Sequence, residues 1–394
     1  MDIREAAKRQ NDYIVELRRW FHAHPELSFE EKNTTERIRC ELEGMGIKTR
    51  TFPDYYGVIG TIHGGRPGAC VMLRADIDAL PSIEKTGLPF ASENEGKMHA
   101  CGHDAHIAML LGAAKILSDM KEELRGTVKL LFQSAEESCH GAEYYVENGC
   151  LDGVDAIFGI HIWGTLLSPL VSLEAGGRMA SCDNFKITVK GASAHGSAPH
   201  LGHDAAVAAA SIIMNLQTFV SRVNDPLNTL VVTVGTIRAG TRFNIIASEA
   251  VMEGTVRTYS RELRKTIDAG LEKIIKGTAE ALGCEAEFQY DRFPGPVIND
   301  HEDLNYIAQN AAVKLYGKEI LTKMPKLTGS EDFAYFMEKV PGFYGFIGAL
   351  KPEDGITYSN HSDKFTVDED ALHRGAALYA QFATDFLEAK SCAS

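Results

Sequence analysis

The sequence is expected to lack an apolar run long enough to cross a bilayer. Its most apolar stretch, Ala205 to Leu216, falls short of the roughly 20 residues a spanning helix needs and reads as a buried helix. Basic residues are also in short supply, 40 against 54 acidic, for a net charge of −14. That balance excludes nucleic acid and anionic membrane as general partners, while a local basic patch would still suffice for a small carboxylate. There is no Gly-rich phosphate loop, no Gly-x-Ser-x-Gly, no repeat, no low-complexity tract and no heptad pattern. Charges at Met1-Asp2-Ile3-Arg4-Glu5 are followed by no apolar core, so no secretory signal is expected. Eight cysteines (40, 70, 101, 139, 150, 182, 284 and 392) are scattered too widely for a disulfide framework. They read as reduced thiols in a cytoplasmic protein.

What is present is a chain of 394 residues with 44% apolar content, enough for a sizeable core and for two domains. One stretch stands out. Met98-His99-Ala100-Cys101-Gly102-His103-Asp104-Ala105-His106 packs a thiol and three imidazoles into nine residues, ahead of a helical pattern over Ile107–Leu117. Cys101 and His103, two apart on a turn entering a helix, can converge on one point. Thiolate and neutral imidazole are common ligands for a borderline-soft divalent ion. A helix start with incidental histidines is the competing reading of a lone Cys-x-His.

The rest of the chain supplies more such residues at strand ends. A helix over 4–22 leads to the turn His24-Pro25-Glu26-Leu27-Ser28, and a second helix over 30–45 stops at Gly44 and Gly46. The strand Cys70–Ala75 runs into Asp76-Ile77-Asp78, whose carboxylates point the same way, as a solvated loop or a polar site element. The strand Gly126–Gln133 ends in Ser134-Ala135-Glu136-Glu137. That spacing fits a capping box; it also fits one carboxylate binding metal while its neighbour works as a base. His161 closes the strand Ala156–Trp163, as a satisfied core histidine or as a further ligand. From residue 183 the pattern becomes β-α-β-β-α-β, a split βαβ sandwich over 183–293 that fits an inserted domain; the chain returns near Pro294-Gly295-Pro296. A helix over 301–316, a strand over Phe343–Ile347, His361 in a loop and a helix over 368–388 complete it.

Several blocks in order carry a family resemblance. They are His24-Pro25-Glu26-Leu27, Arg74-Ala75-Asp76-Ile77-Asp78-Ala79-Leu80-Pro81, Cys101-Gly102-His103-Asp104-x-His106, Phe132-Gln133-x-Ala135-Glu136-Glu137, Ala194-His195-x-x-x-Pro199-His200 and Gly329-Ser330-Glu331-Asp332-Phe333. Together they resemble the M20 metallohydrolases, in the amidohydrolase branch of hippurate hydrolase, auxin–amino acid hydrolases and N-acetyl-diaminopimelate deacetylase. The resemblance implies an α/β fold: a zinc-peptidase-like catalytic domain (1–182 and 294–394) with a mixed sheet flanked by helices. It also implies an α+β ferredoxin-like lid and dimerisation domain (183–293).

By that resemblance Cys101, His103, Glu137, His161 and His361 fall on the ligands of two divalent ions (Zn, Mn, Co or Ni), with Cys101 bridging. Glu136 falls on the general base acting on a bridging water, and Asp78 on the carboxylate that orients a ligand. Asp76 stands where other branches keep a ligand histidine and is not counted as one. His195 falls on a residue that reaches across a homodimer to the oxyanion; without the resemblance it reads as a turn residue before Pro199. Asn244 resembles the lid asparagine that binds substrate, although Ala247-Ser248 replaces the family's usual proline. Arg242 reads as an exposed turn residue or a carboxylate clamp. Phe243, Met179 and Trp163 read as core or as lining of an acyl pocket. The expected reaction is metal-dependent hydrolysis of small N-acyl amino acids. The alternatives are a dipeptidase or aryl-acyl-glutamate carboxypeptidase with the same metals, a thiol amidase using Cys101 and His103, and a non-catalytic binding protein.

Overall fold

A computed structural model describes residues 1–351 and 358–391. The chain divides into two compact units. The first comprises Met1–Arg178, Ile298–Pro325 and Asp332–Ser394; the second comprises Met179–Val297 and Lys326–Glu331. The second unit thus takes in residues 326–331, outside the expected 183–293, with Leu327 bridged to Met179. Among the described residues the seven cysteines form no disulfide; Cys392 lies outside the described residues.

The first unit opens with two helices, α1 (Ile3–Arg9) and α2 (Asn11–Ala23), where the periodicity predicts one. Gln10, at φ −97° and ψ 7°, breaks the run without disturbing the apolar spacing. Next come α3 (Lys32–Gly44), β1 (Lys48–Thr51), β2 (Gly57–His63), β3 (Arg66–Asp76), α4 (His103–Asp119), β4 (Arg125–Gln133), α5 (Gly141–Glu147), β5 (Ala156–Leu167) and the short β6 (Val171–Ser172). Helix α4 starts at His103, four residues before the apolar pattern begins. It is buried on nearly every face, which suits a sequence apolar all round.

The second unit contains β7 (Asp183–Lys190), α6 (Ala205–Thr218), β8 (Leu230–Ala239), β9 (Glu249–Thr258), α7 (Ile267–Ala281) and β10 (Glu285–Arg292). Its four strands form an antiparallel sheet in the order β10-β7-β9-β8. Its core joins Phe185, Ile187 and Val189 of the sheet to Ile212 and Leu216 of α6 and Leu271 and Ile275 of α7. Helix α6 corrects the expectation of a short buried helix. With the turn Phe219–Val223 it forms a 19-residue segment long and apolar enough, by length and composition, for a span. Its face bearing Ala208, Ile212 and Leu216 packs on the unit's own core, while Val207 and Met214 are exposed.

The first unit resumes with α8 (Glu302–Tyr316), β11 (Gly342–Leu350) and α9 (Asp370–Ser391). Its seven-stranded sheet runs β1-β2-β4-β3-β5-β11-β6. The central strands β4, β3, β5 and β11 are parallel; β2 and β6 flank them antiparallel. The parallel strands are near-continuous apolar runs, as burial on both faces demands. Register aligns Asp76 with Gln133, Arg74 with Gly159 and His161 with Phe346, so the polar residues of three strands meet at the carboxyl edge of the sheet. Open parallel sheets bind ligands at that edge.

Candidate metal centre

The carboxyl edge gathers the candidate ligands. Donor atoms of Cys101, His103 and His161 lie within 4.8 Å of one another, and so do those of Cys101, Glu137 and His361. Two triads therefore share one sulfur. His103 sits in the first turn of α4, aimed by Gly102 at φ +93°, where a Cβ would stand 2.4 Å from Ile162. Only glycine is comfortable there. Cys101 Sγ is 3.5 Å from His161 Nε2, and Glu137 Oε1 is 3.3 Å from His361 Nε2.

His103 and His161 each have one ring nitrogen committed elsewhere. His103 Nδ1 lies 3.2 Å from Asp78 Oδ1, and His161 Nδ1–H donates to the Ile162 carbonyl at 2.6 Å. Those contacts leave both Nε2 atoms for the cluster. Asp78 also accepts from Ser28 Oγ at 2.7 Å and from the Glu137 N–H at 3.0 Å. Glu136, almost fully buried, has Oε1 3.5 Å from the Asp332 N–H.

The donor set fits divalent cations. His103 Nε2 and Glu137 Oε1 are buried and make no hydrogen bond, which is costly unless something else engages them. Burial and the nearby Glu137, Glu136 and Asp76 push the Cys101 thiol well above its usual range. Burial pulls His103 down, but Asp76 and Asp78 outweigh it and carry the imidazole up to about 10. Buried carboxylates in excess around a thiol are the electrostatics of a site that awaits positive charge. Asp76, His103 and His106 also lie close together, but His106 is no ligand. Its Nε2 accepts the Ile162 N–H at 2.8 Å, and its Nδ1 donates to Asp76 Oδ1 at 2.5 Å.

A family model described as Peptidase family M20/M25/M40 matches residues 72–385. The chain belongs to that family. It is 40% identical to N-acetylcysteine deacetylase of Bacillus subtilis (strain 168), over 97% of this chain and 99% of the relative. It is 39% identical to IAA-amino acid hydrolase ILR1-like 2 of Arabidopsis thaliana, over 96% and 86% respectively. Among solved structures it superposes on the Bacillus subtilis YXEP protein, described as a dinuclear metal binding peptidase from the M20 family. The TM-score is 0.86 at 38% identity, covering 97% of this chain and 99% of that one.

In this M20 chain several supports of the centre carry no obvious sequence mark. Arg74, buried in β3, reaches Asp76 Oδ2 (2.6 Å), Gln133 Oε1 (2.8 Å) and Asp332 Oδ1 (2.9 Å); it fastens three segments behind the site. Asn360 ties the His361 loop down. Its amide donates to the Cys101 and Ile162 carbonyls at 2.9 and 3.2 Å and accepts the Gly164 N–H at 2.9 Å. The polar residue next to His361 was the only available signal for it. The capping box does not form. Glu136–Ser138 is one 3-10 turn entered through Ala135 at φ +59°, and the Ser134 hydroxyl bonds Tyr145 Oη at 2.9 Å.

His195 and Asn244 belong to the second unit and are brought together there. The Gly196 N–H donates to the Asn244 carbonyl at 2.9 Å, and His195 bridges Ile245. His195 Nδ1 accepts from the Ser197 N–H at 3.2 Å, so the exposed ring carries its proton on Nε2. Asn244 Oδ1 has no hydrogen-bond partner. Arg242 is exposed and Phe243 is 95% exposed, whereas Met179 is buried. Trp163, in the first unit, packs on Phe346 at a ring separation of 5.4 Å.

Proposed function

We propose that Cys101, His103, Glu137, His161 and His361 hold two divalent ions, with Cys101 shared, and that Glu136 is the general base. The carrying observation is the pair of donor triads that meet at one sulfur. The enzyme is a metal-dependent hydrolase of N-acyl amino acids: water and an amide give a carboxylic acid and a free amino acid. Bound ions would polarise the carbonyl and acidify water. Glu136 takes a proton from the attacking water and passes it to the leaving nitrogen. Asp78 holds His103 in the tautomer that leaves Nε2 facing the cluster. To His195 we assign the stabilisation of the oxyanion, because its exposed Nε2–H is a ready donor. To Asn244 we assign substrate binding, because its side-chain Oδ1 has no hydrogen-bond partner.

We further propose Zn, Mn, Co or Ni as the ions, a cytoplasmic homodimer formed through the second unit, and no nucleic-acid or membrane partner, in keeping with the charge of −14. A thiol mechanism is disfavoured by charge, since carboxylates crowd Cys101 where a nucleophilic thiolate needs cationic neighbours.

The test is a hydrolysis screen of N-acetyl, N-benzoyl and indole-acetyl amino acids with metal-loaded protein, repeated after chelation. Activity that vanishes with chelator and returns with Mn²⁺ or Zn²⁺ supports the reading. Activity indifferent to chelation but lost on alkylation would overturn it.

A further inference from the structure

The turn after His24-Pro25-Glu26-Leu27 has no part in the chemistry assigned above, yet its side chains point into the back of the metal centre. Ser28 Oγ donates to Asp78 Oδ2 at 2.7 Å. Glu31, fully buried, accepts the Ala135 N–H at 2.8 Å through Oε1. Glu31 occupies the N-cap position of α3, where a carboxylate would ordinarily serve its own helix; here it makes no capping bond. Glu26 takes that duty instead, accepting from the Asn33 and Thr34 N–H groups.

Backbone strain points to the same place. Among the described residues four non-glycine residues have positive φ: Phe29, Ala135, Cys139 and His361. Phe29 lies inside the turn, Ala135 and Cys139 flank Glu136 and Glu137, and His361 is itself a candidate ligand. Such conformations persist only where the surroundings over-determine them. At Ala135 the N–H is held by the Glu31 carboxyl, while the carbonyl accepts from Ser138 Oγ at 2.7 Å and the Gly141 N–H at 3.2 Å. Burial, with Asp78 nearby, pushes that carboxyl up to about 8, so at neutral pH it is largely the uncharged acid and adds little to the negative charge of the centre.

We propose that Ser28 and Glu31 are positioning residues: Glu31 fixes the left-handed Ala135 so that Glu136 and Glu137 diverge correctly, and Ser28 fixes Asp78 behind His103. The inference rests on the reading of Glu136 as base and Glu137 as ligand. Ser28 and Glu31 touch no substrate; they act through the residues they hold.

Three variants test it. Glu31→Ala removes the brace, and Glu31→Gln keeps an uncharged group with its acceptor oxygen. Glu26→Ala removes only the cap of α3 and should lower melting temperature without changing turnover. In Glu31→Ala the amide of Ala135 should exchange with deuterium at least about tenfold faster in metal-free protein. In loaded protein kcat should fall about 10–100-fold with KM within about threefold, the scale of a small misplacement of a catalytic group. Glu31→Gln should restore both. Wild-type exchange and turnover in Glu31→Ala, or equal damage in Glu31→Gln, would overturn the proposal. Should Glu31→Ala fail to fold, Ser28→Ala decides: it should retain less metal after dialysis and lose turnover, and unchanged metal content and kcat would refute the brace. The exchange measurement does not depend on catalysis. An active Glu136→Gln would therefore discard the mechanism while leaving the brace to stand or fall on its own.

Discussion

The two histidine-bearing regions are built on opposite principles. Around Cys101 the rings of His103, His106 and His161 are buried and each has a nitrogen fixed by a carboxylate or carbonyl, and Arg74, bonded to Asp332, holds Asp76 in turn. Around His195 the ring is exposed and, among the described residues, is held by hydrogen bonds to Ser197 of its own turn alone. The first arrangement suits ions, which demand donors at set distances; the second suits a donor that must meet a substrate. Buried polar networks are costly to break, and exposed ones are not.

That contrast can be broken experimentally. The largest effect should come from Glu136→Gln, which should retain its metal by elemental analysis yet lose roughly 10³-fold in turnover; unaltered turnover would remove Glu136 from the reaction. Arg74→Leu should remove the buried cation that Asp76 and Asp332 share and cost about 3–5 kcal/mol in urea unfolding. A loss under about 1 kcal/mol would mean that the inner network is not the rigid element described here. His195→Ala should cost about 10² in kcat while metal content and unfolding stay within about 0.5 kcal/mol of wild type. Loss of metal in that variant would erase the distinction between the regions.

Per pH unit, the effect on pH dependence is the smallest. Glu31 is raised in the folded state from 4.5 to about 8, so the native protein holds a proton that the unfolded chain releases. Its contribution to stability is full below about pH 4.5 and is lost as pH rises through about 8, at no more than about 1.4 kcal/mol per pH unit. Metal-free Glu31→Gln should lack this slope in unfolding titrations from pH 5 to 8 (roughly the window between the two values). An unchanged slope would show that Glu31 ionises normally.

Much of this was legible before the fold was known, and for a physical reason. Site side chains at or just past strand ends leave an abrupt polar residue after an apolar run, as at Asp76 and Glu136, and His161 interrupts the apolar β5. The β-α-β-β-α-β order of the second unit could be read from alternation alone. What failed to show were contacts made across long separations. The roles of Asn360 and Arg74 emerge only when the chain folds, because each reaches a distant partner, Cys101 at 259 and Asp332 at 258 residues away. Ser134-x-x-Glu137 carried a helix signal, yet Tyr145 captured the serine and the glutamates went to the cluster. The outward side of α6 was missed because apolar content does not say which face is covered.

The amide of Asn360 has a chemical consequence. One end faces two oxygens and the other faces a hydrogen, so the group works only while its ends differ. Spontaneous hydrolysis to aspartate, a slow lesion of stored proteins, would set oxygen against oxygen beside Cys101 and Ile162. Ageing at that single bond would loosen the loop that carries His361, and with the ligand set proposed above a preparation of correct size and fold would slowly lose its grip on metal.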